Sequence, residues 1–139
     1  MYTILILDDD ESIRLLYEEE LMEEGYDVLS KNDGIDAAEL VLEKRPDLVV
    51  LDLKLGDSNG FDVLKKLRAE DGLTPVIFCT GYPVSSKEAR AMGADDVVIK
   101  SSDLSELKLK IKKVLNSGLK PAPPVDEGTC MVPDFRMDN

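Results

Sequence analysis

A short aliphatic run that ends on a carboxylate constrains this chain more than any other feature. The run is Leu48 to Leu51, it contains no polar residue, and Asp52 follows it. It is too short and too uniformly apolar for an amphipathic helix, which favours a strand buried on both faces, as in a parallel sheet. Asp52 then lies at the carboxyl end of an inner strand, where open α/β sheets hold their ligands. A single acid there is more often the start of a turn, so the other strands decide what Asp52 means.

Four further apolar runs alternate with five segments of helical periodicity. This alternation predicts an α/β fold of the flavodoxin-like kind: a five-stranded parallel sheet of order 2-1-3-4-5 with helices on both faces and right-handed crossovers. The second helix is expected to carry Ile35 and Ala38 on its buried side, and the spacing Asp103-x-x-Glu106 resembles a capping box before the last helix. The four runs are Tyr2 to Leu7, Tyr26 to Ser30, Pro75 to Cys79 and Val97 to Ile99.

The composition fits one globular domain followed by a tail. The chain has 139 residues, of which 43% are hydrophobic and 33% charged, an ordinary profile for a single soluble domain. The domain is predicted to span residues 1–116. Residues 117–139 hold four of the seven prolines and show no apolar period, so they are predicted to be a flexible C-terminal tail.

Charge and residue usage exclude several classes of function. With 17 Lys and Arg against 29 Asp and Glu, the net charge is −12, which argues against direct contact with nucleic acid. The apolar start is short and lacks a preceding basic segment, so neither a signal peptide nor membrane insertion is expected. Cys79 and Cys130 have no disulfide or metal spacing and are predicted to be free thiols of a cytoplasmic protein. The chain has no histidine, which excludes a histidine phosphocarrier.

Polar side chains with useful chemistry follow four of the predicted strands. In a sheet of order 2-1-3-4-5 the carboxyl ends of these strands meet at one crevice. Three crowded carboxylates repel one another unless a hard divalent cation lies among them, which favours Mg²⁺, or Mn²⁺ in its place. A metal beside Asp52, with an ammonium and a hydroxyl opposite, can stabilise a phosphoryl group on a carboxylate. The side chains are Asp8, Asp9, Asp52, Thr80 and Lys100.

With these residues in place, the chain resembles the receiver domain of a bacterial two-component response regulator, in particular a stand-alone, chemotaxis-regulator-like one. The resemblance covers residues 2 to about 116. It rests on the run Ile4 to Leu7 before Asp8-Asp9-Asp10, on Val49-Val50-Leu51-Asp52, and on Gly60, Thr80-Gly81, Gly93-Ala94 and Lys100.

The resemblance implies a role for each of these side chains. It makes Asp52 the phosphoacceptor, and it makes Asp9, Asp52 and the backbone carbonyl of Lys54 ligands of Mg²⁺, with Asp8 acting mostly through a metal-bound water. Thr80 and Lys100 would bind the phosphoryl oxygens. The partner would be a sensor histidine kinase or a histidine phosphotransfer protein. The chain would then be a signalling switch rather than an enzyme, assisting only its own phosphorylation and dephosphorylation.

Three positions depart from the family pattern. Ser101 follows Lys100 where the family usually has proline in a cis bond. Val97 replaces the aromatic residue often found three positions before the lysine, so an aromatic rotamer switch cannot be the readout. Gly56 replaces the usual proline in the loop after the phosphoacceptor, which allows that loop more backbone freedom.

Two other functions compete with this interpretation. The spacing Asp8-x-Asp10-x-Ser12 also resembles the motif of haloacid dehalogenase-type phosphatases, in which Asp8 would be the nucleophile and Asp10 the acid/base. That hypothesis leaves Asp52 unexplained. The second competitor is a binding module that keeps the receiver fold and works without phosphorylation; such modules usually lose an acid or the lysine, and this chain keeps them.

Overall fold

The structure is a computed structural model that describes residues 1–70, 72–81, 84–101 and 103–117. Strands and helices alternate along the chain, as the apolar runs predict, except that two short strands directly follow the third strand. In order they are β1 (Thr3–Leu7), α1 (Glu11–Glu23), β2 (Asp27–Lys31), α2 (Ala37–Lys44), β3 (Leu48–Leu51), β4 (Lys54–Leu55), β5 (Ser58–Asn59), α3 (Gly60–Glu70), β6 (Val76–Thr80), α4 (Ser86–Ala91), β7 (Asp96–Ile99) and α5 (Ser105–Leu115).

Five of the strands form one parallel sheet of order β2-β1-β3-β6-β7. Counted within the sheet alone, this is the order 2-1-3-4-5, so the predicted fold class is confirmed. Parallel strands need crossover connections, and the helices between them supply these. The predicted site at the end of β3 therefore lies beside the end of β1, at the switch point of the sheet.

Alternate strand residues face two separate cores because successive side chains of a strand point to opposite faces. In β1, Ile4 and Ile6 pack with α1 and α5, whereas Leu5 and Leu7 pack with α2, α3 and α4. The strands β1, β3 and β6 are buried along almost their whole length because both of their faces are covered, which is why their sequences are apolar without alternation. The edge strand β2 is only partly buried. The helix residues that close the two cores include Tyr17, Leu21, Leu107 and Ile111 on one face and Val41, Val63, Leu64, Leu67 and Ala89 on the other.

A small antiparallel hairpin, β4 paired with β5, follows the main strand β3. Lys54 pairs with Asn59 and Leu55 with Ser58, which leaves Gly56 and Asp57 in the turn. Gly56 has φ +59°, a left-handed conformation that glycine adopts without strain. The sequence had indicated only a turn here, because two-residue strands are too short to show a period.

Two helix starts differ from the sequence prediction. Helix α2 begins at Ala37, and Ile35 lies before it with 62% of its surface exposed, so Ile35 is not on a buried helix face. The left-handed backbone of Asp36, with φ 57°, interrupts the helical period there. The capping box predicted at α5 is also wrong: the N-cap residue is Leu104, which makes no side-chain cap hydrogen bond, and the Asp103 carboxylate accepts from the Ser105 N–H. A capping box is present at Ser85 and Glu88, before α4.

The described chain ends just after α5. Ser117 donates from both its N–H and its hydroxyl to the carbonyl of Val114, so the first residue of the predicted tail is bonded to the last helical turn. The rest of that tail, residues 118–139 including Cys130, lies outside the described residues. Among the helices that are described, each is too short or too polar to cross a bilayer.

Candidate functional site at the carboxyl edge of the sheet

The register of β1 and β3 brings the first two site residues together. Leu7 is paired with Leu51, and the next residue on each strand is an aspartate. The Asp52 N–H donates to the Leu7 carbonyl over 3.0 Å, which extends the ladder by one bond past the strand ends. Asp8 and Asp52 therefore leave neighbouring strands at the same level, as the parallel topology requires.

Three carboxylates meet at this edge. Asp8 and Asp52 are buried, Asp9 is exposed, and one oxygen from each lies within 4.8 Å of the others. Asp8 is further held by the Asp10 N–H, which donates to its Oδ1 over 2.9 Å, and its carbonyl accepts from the Arg14 guanidinium over 2.8 Å. One backbone N–H and one guanidinium group thus hold Asp8 in place within the predicted acidic cluster.

Lys100 lies between the two buried acids. Its Nζ is 2.8 Å from Oδ2 of Asp52 and 2.9 Å from Oδ2 of Asp8, and its own backbone N–H donates to the carbonyl of Thr80 over 2.8 Å. Burial alone would lower the pKa of Lys100, but the hydrogen bonds and charges of Asp52 and Asp8 outweigh burial and the pKa is raised. The ammonium is therefore fixed in its charged form between the carboxylates.

The surroundings of Asp52 disfavour the ionised form of its carboxyl group. Burial raises the pKa of its carboxyl above the ordinary value, and the charge of Asp8 adds to that rise. The hydrogen bond and charge of Lys100, together with a hydrogen bond from the Lys54 backbone, offset part of it. Asp52 is thus a poorly solvated carboxylate with a cation in contact, so little water has to leave before one of its oxygens can meet an electrophile.

The acids have the composition of a magnesium site. Three carboxylates against one ammonium leave a net charge of −2, which a divalent cation would neutralise. Oxygen ligands on rigid strand ends, with one side open to solvent at Asp9, suit an ion that keeps several waters. Of the predicted ligands, Lys54 lies in β4 and its N–H contacts the Asp52 carboxyl; a role for its carbonyl stays a prediction.

Thr80, the last residue of β6, is the remaining predicted site residue. It is fully buried, its carbonyl is bonded to Lys100, and β7 pairs with it through Ile99. The residues that depart from the family pattern are also placed: Val97 is buried in β7, and the Lys100–Ser101 peptide bond is trans.

Three residues make contacts at this site that sequence reasoning did not predict. Arg14 holds the Asp8 carbonyl, the Gly56 N–H donates to Oδ2 of Asp9 over 3.0 Å, and Asp10 caps α1 by accepting from the N–H groups of Ser12 and Ile13. Only the cap had a recognisable pattern, an aspartate just before a helical segment. It also gives Asp10 a structural task in place of the acid/base role of the phosphatase hypothesis.

The chain is similar in sequence to a family of known proteins. Residues 4–112 match the model of the response regulator receiver domain family. The chain is 35% identical over 114 residues to sporulation initiation phosphotransferase F of Bacillus subtilis, a match that covers 81% of this chain and 92% of that protein. It is 34% identical to the regulatory protein AtoC of Escherichia coli, of which it covers only 25%.

Solved structures give the same result. The response regulator TrrA of Thermotoga maritima, in complex with Mg²⁺ and BeF, is 34% identical with a TM-score of 0.75 over 82% of this chain and 99% of that chain. TrrA in complex with the histidine kinase ThkA matches with a TM-score of 0.76 over 84% of this chain and 100% of that chain. These matches favour neither the phosphatase nor the phosphorylation-independent module. The chain belongs to the response regulator receiver domain family, the phosphoacceptor switches of two-component signalling systems.

Proposed function

We propose that Asp52 is the residue of this receiver domain that accepts the phosphoryl group, and that Lys100 and Thr80 bind the oxygens of that group. The observation that carries the proposal is the contact of the Lys100 ammonium with Asp52 at 2.8 Å and with Asp8 at 2.9 Å. A cation that already touches the attacking carboxylate is in place to meet the negative charge that a phosphoryl group brings.

The reaction needs little from the protein beyond placement and charge. An oxygen of Asp52 forms a bond to phosphorus while the bond from phosphorus to the nitrogen of the donor breaks, and the leaving imidazole takes up a proton. Lys100 exchanges part of its contact with the carboxylates for a phosphoryl oxygen. Lys100 directly follows β7 and its backbone N–H is bonded to the carbonyl of Thr80 in β6, so we propose that this exchange shifts the ends of these two strands.

Asp8, Asp9 and Asp52, with the carbonyl of Lys54, are the groups that would hold Mg²⁺, or Mn²⁺ in its place. The bound ion supplies charge neutralisation for the transferring phosphoryl group. Asp8 and Asp52 both contact the Lys100 ammonium and directly follow neighbouring strands of the sheet. Asp9 is the exposed acid and faces solvent. A cluster with two buried acids and one exposed acid can take an ion without rearranging the strands.

The phosphoryl donor is proposed to be a phosphohistidine on a separate histidine kinase or phosphotransfer protein. The chain has no histidine of its own, and the related TrrA forms a complex with the histidine kinase ThkA. We propose further that the chemistry of this domain is confined to its own phosphorylation and dephosphorylation and does not act on a separate substrate.

Labelling by a small-molecule phosphodonor tests the assignment. Acetyl phosphate, with Mg²⁺ or with EDTA, is applied to the wild type, Asp52→Asn, Asp8→Asn and the control Asp62→Asn, which changes an exposed acid on α3. We expect Mg²⁺-dependent labelling of the wild type and the control, weak labelling of Asp8→Asn, and loss of the label in Asp52→Asn. Labelling that survives in Asp52→Asn but disappears in Asp8→Asn would contradict the proposal.

A further inference from the structure

A hydrogen bond joins the β4–β5 hairpin to the acidic cluster. The N–H of Gly56, in the hairpin turn, donates to Oδ2 of Asp9 over 3.0 Å. The two residues are 47 positions apart in the chain, so this bond links the loop after β1 to the β4–β5 hairpin turn. It is one of the contacts that the mechanism of phosphorylation does not itself require.

Each carboxylate of the cluster is in contact with at least one donor, and the Gly56 N–H donates to the exposed carboxylate, Asp9. Asp8 receives the Asp10 N–H and the Lys100 ammonium, and Asp52 receives Lys100. Asp9 faces solvent and could rotate away from its neighbours if nothing held it. A backbone N–H bonded to one of its oxygens limits that rotation and leaves the second oxygen free of this bond.

The conformation of Gly56 explains why this N–H points at Asp9. Its φ of +59° is left-handed, and a Cβ built on it would meet nothing within 4 Å. The need for glycine is therefore conformational rather than steric. Asparagine tolerates this conformation and keeps the N–H, whereas proline has no N–H and a φ fixed near −65°.

From this geometry we infer that Gly56 is a positioning residue for the divalent cation: its N–H holds the Asp9 carboxylate in place for the ion, and the hairpin conformation is coupled to metal occupancy. The inference rests on the proposed metal site and adds to it a residue that is not itself a ligand. The coupling is reciprocal, so an ion that uses Asp9 also stabilises the hairpin turn.

Calorimetric titration with Mg²⁺ alone tests the positioning role. We expect Gly56→Asn to bind Mg²⁺ within about twofold of the wild type, and Gly56→Pro to bind about tenfold more weakly, the factor that about 1.4 kcal/mol of lost orientation gives. The matched control is Gly25→Pro. Gly25 has φ +95°, donates its N–H to the Met22 carbonyl and has open space at Cβ, but lies at the far end of α1. Its Mg²⁺ affinity should equal that of the wild type.

A second measurement covers the case in which Gly56→Pro does not fold. In the ¹⁵N-labelled protein with EDTA, Asp9→Ala should shift the Gly56 amide proton upfield and speed its exchange with solvent, because the acceptor is gone. An unchanged Gly56 amide, or a Gly56→Pro variant that binds Mg²⁺ as the wild type does, would overturn the inference while leaving the proposed function intact. A wild type that binds no Mg²⁺ would overturn both.

Discussion

Gly60 lies so close to Asp52 that no side chain fits between them. A Cβ on Gly60 would be 2.3 Å from the Asp52 carbonyl oxygen and 2.8 Å from Cα of Leu53. The Gly60 N–H also donates to the Leu53 carbonyl over 2.7 Å, so the start of α3 is bound to the segment that carries the proposed phosphoacceptor.

Gly60→Ala should therefore damage both stability and phosphorylation. The added methyl group must push the Asp52 backbone or the first turn of α3, and overpacking of this kind costs about 1–3 kcal/mol of the free energy of unfolding. Urea unfolding and labelling by acetyl phosphate would measure the two effects. Gly72→Ala is the control, because a Cβ there meets nothing within 4 Å; if both variants lose the same stability, the close contact is not the cause.

Lys100→Met should separate acquisition of the phosphoryl group from the conformational response. The variant keeps an apolar side chain of similar length and loses the ammonium that contacts Asp8 and Asp52. We expect slow but measurable labelling, because Asp52 is still present, and a much smaller change in the backbone amide resonances of β6 and β7 on phosphorylation. A full set of resonance changes in phosphorylated Lys100→Met would show that Lys100 does not couple the site to these strands.

The same variant should lose stability in EDTA. Removing the cation leaves two buried carboxylates without their ammonium, and breaking a buried pair in this way costs about 3–5 kcal/mol. Mg²⁺ should restore part of the loss, since it can neutralise the same acids. Lys112→Met, which removes an exposed lysine whose distant partner is Glu24 at 3.8 Å, should change stability by less than about 1 kcal/mol with or without Mg²⁺.

Arg68 is expected to be the most important charged residue for folding outside the site. Its guanidinium donates to the carbonyls of Gly93 and Thr74, at 3.0 and 2.7 Å, and reaches Asp95 at 3.5 Å, so it connects α3 with the residue just before Pro75 and β6 and with the loop between α4 and β7. Arg68→Lys keeps the charge but cannot supply three donors in a plane. We expect it to lower the free energy of unfolding by about 2 kcal/mol, against little change in Arg90→Lys on the exposed face of α4.

The sequence predicts the site better than it predicts the hairpin beside it. Asp8, Asp52 and Lys100 follow parallel strands whose ends must share one edge, so their convergence could be deduced from topology alone. The 2.8 and 2.9 Å contacts of Lys100 could not, because side-chain rotamers are decided by packing. The positioning role of Gly56 was hidden for a similar reason: a glycine in a turn has many uses, and its partner Asp9 is distant in the chain.

The two errors in the predicted starts of helices α2 and α5 have one common cause. Periodicity places the buried face of a helix correctly but gives no information on its first residue, which depends on backbone conformation. Ile35 fits the period of α2, yet Asp36 adopts a left-handed conformation and the helix begins after it. Asp103 and Glu106 have capping-box spacing, yet the Asp103 carboxylate is bonded to Ser105.

Cys79 should be protected from alkylation in the folded protein. It is 2% exposed, its sulfur lies 3.3 Å from the Tyr17 hydroxyl, and burial raises its pKa from 9.0 to about 11. The shift alone reduces the thiolate fraction at pH 8 by about a hundredfold, and burial slows the reaction further. In a Cys130→Ser background, iodoacetamide should therefore label Cys79 in urea and leave it unlabelled in buffer. Rapid labelling of the folded protein would show that the core between the sheet and helices α1 and α5, where Cys79 lies, opens to solvent.

The raised pKa of Cys79 also predicts how stability depends on pH. Below pH 9 the thiol is neutral in both the folded and the unfolded protein, so the folded state keeps its full stability. As the pH rises from about 9 to about 11, the unfolded chain releases the proton and the folded protein does not, so the free energy of unfolding falls by up to about 3 kcal/mol. Cys79→Ser keeps a hydroxyl for Tyr17, and the serine side chain does not titrate in this range, whereas the other ionisable groups are the same in both proteins. Urea unfolding of both proteins between pH 8 and pH 11, in the Cys130→Ser background, should show the wild-type Cys79 protein losing stability relative to Cys79→Ser; parallel curves would mean that the thiol ionises as easily in the fold as in the unfolded chain.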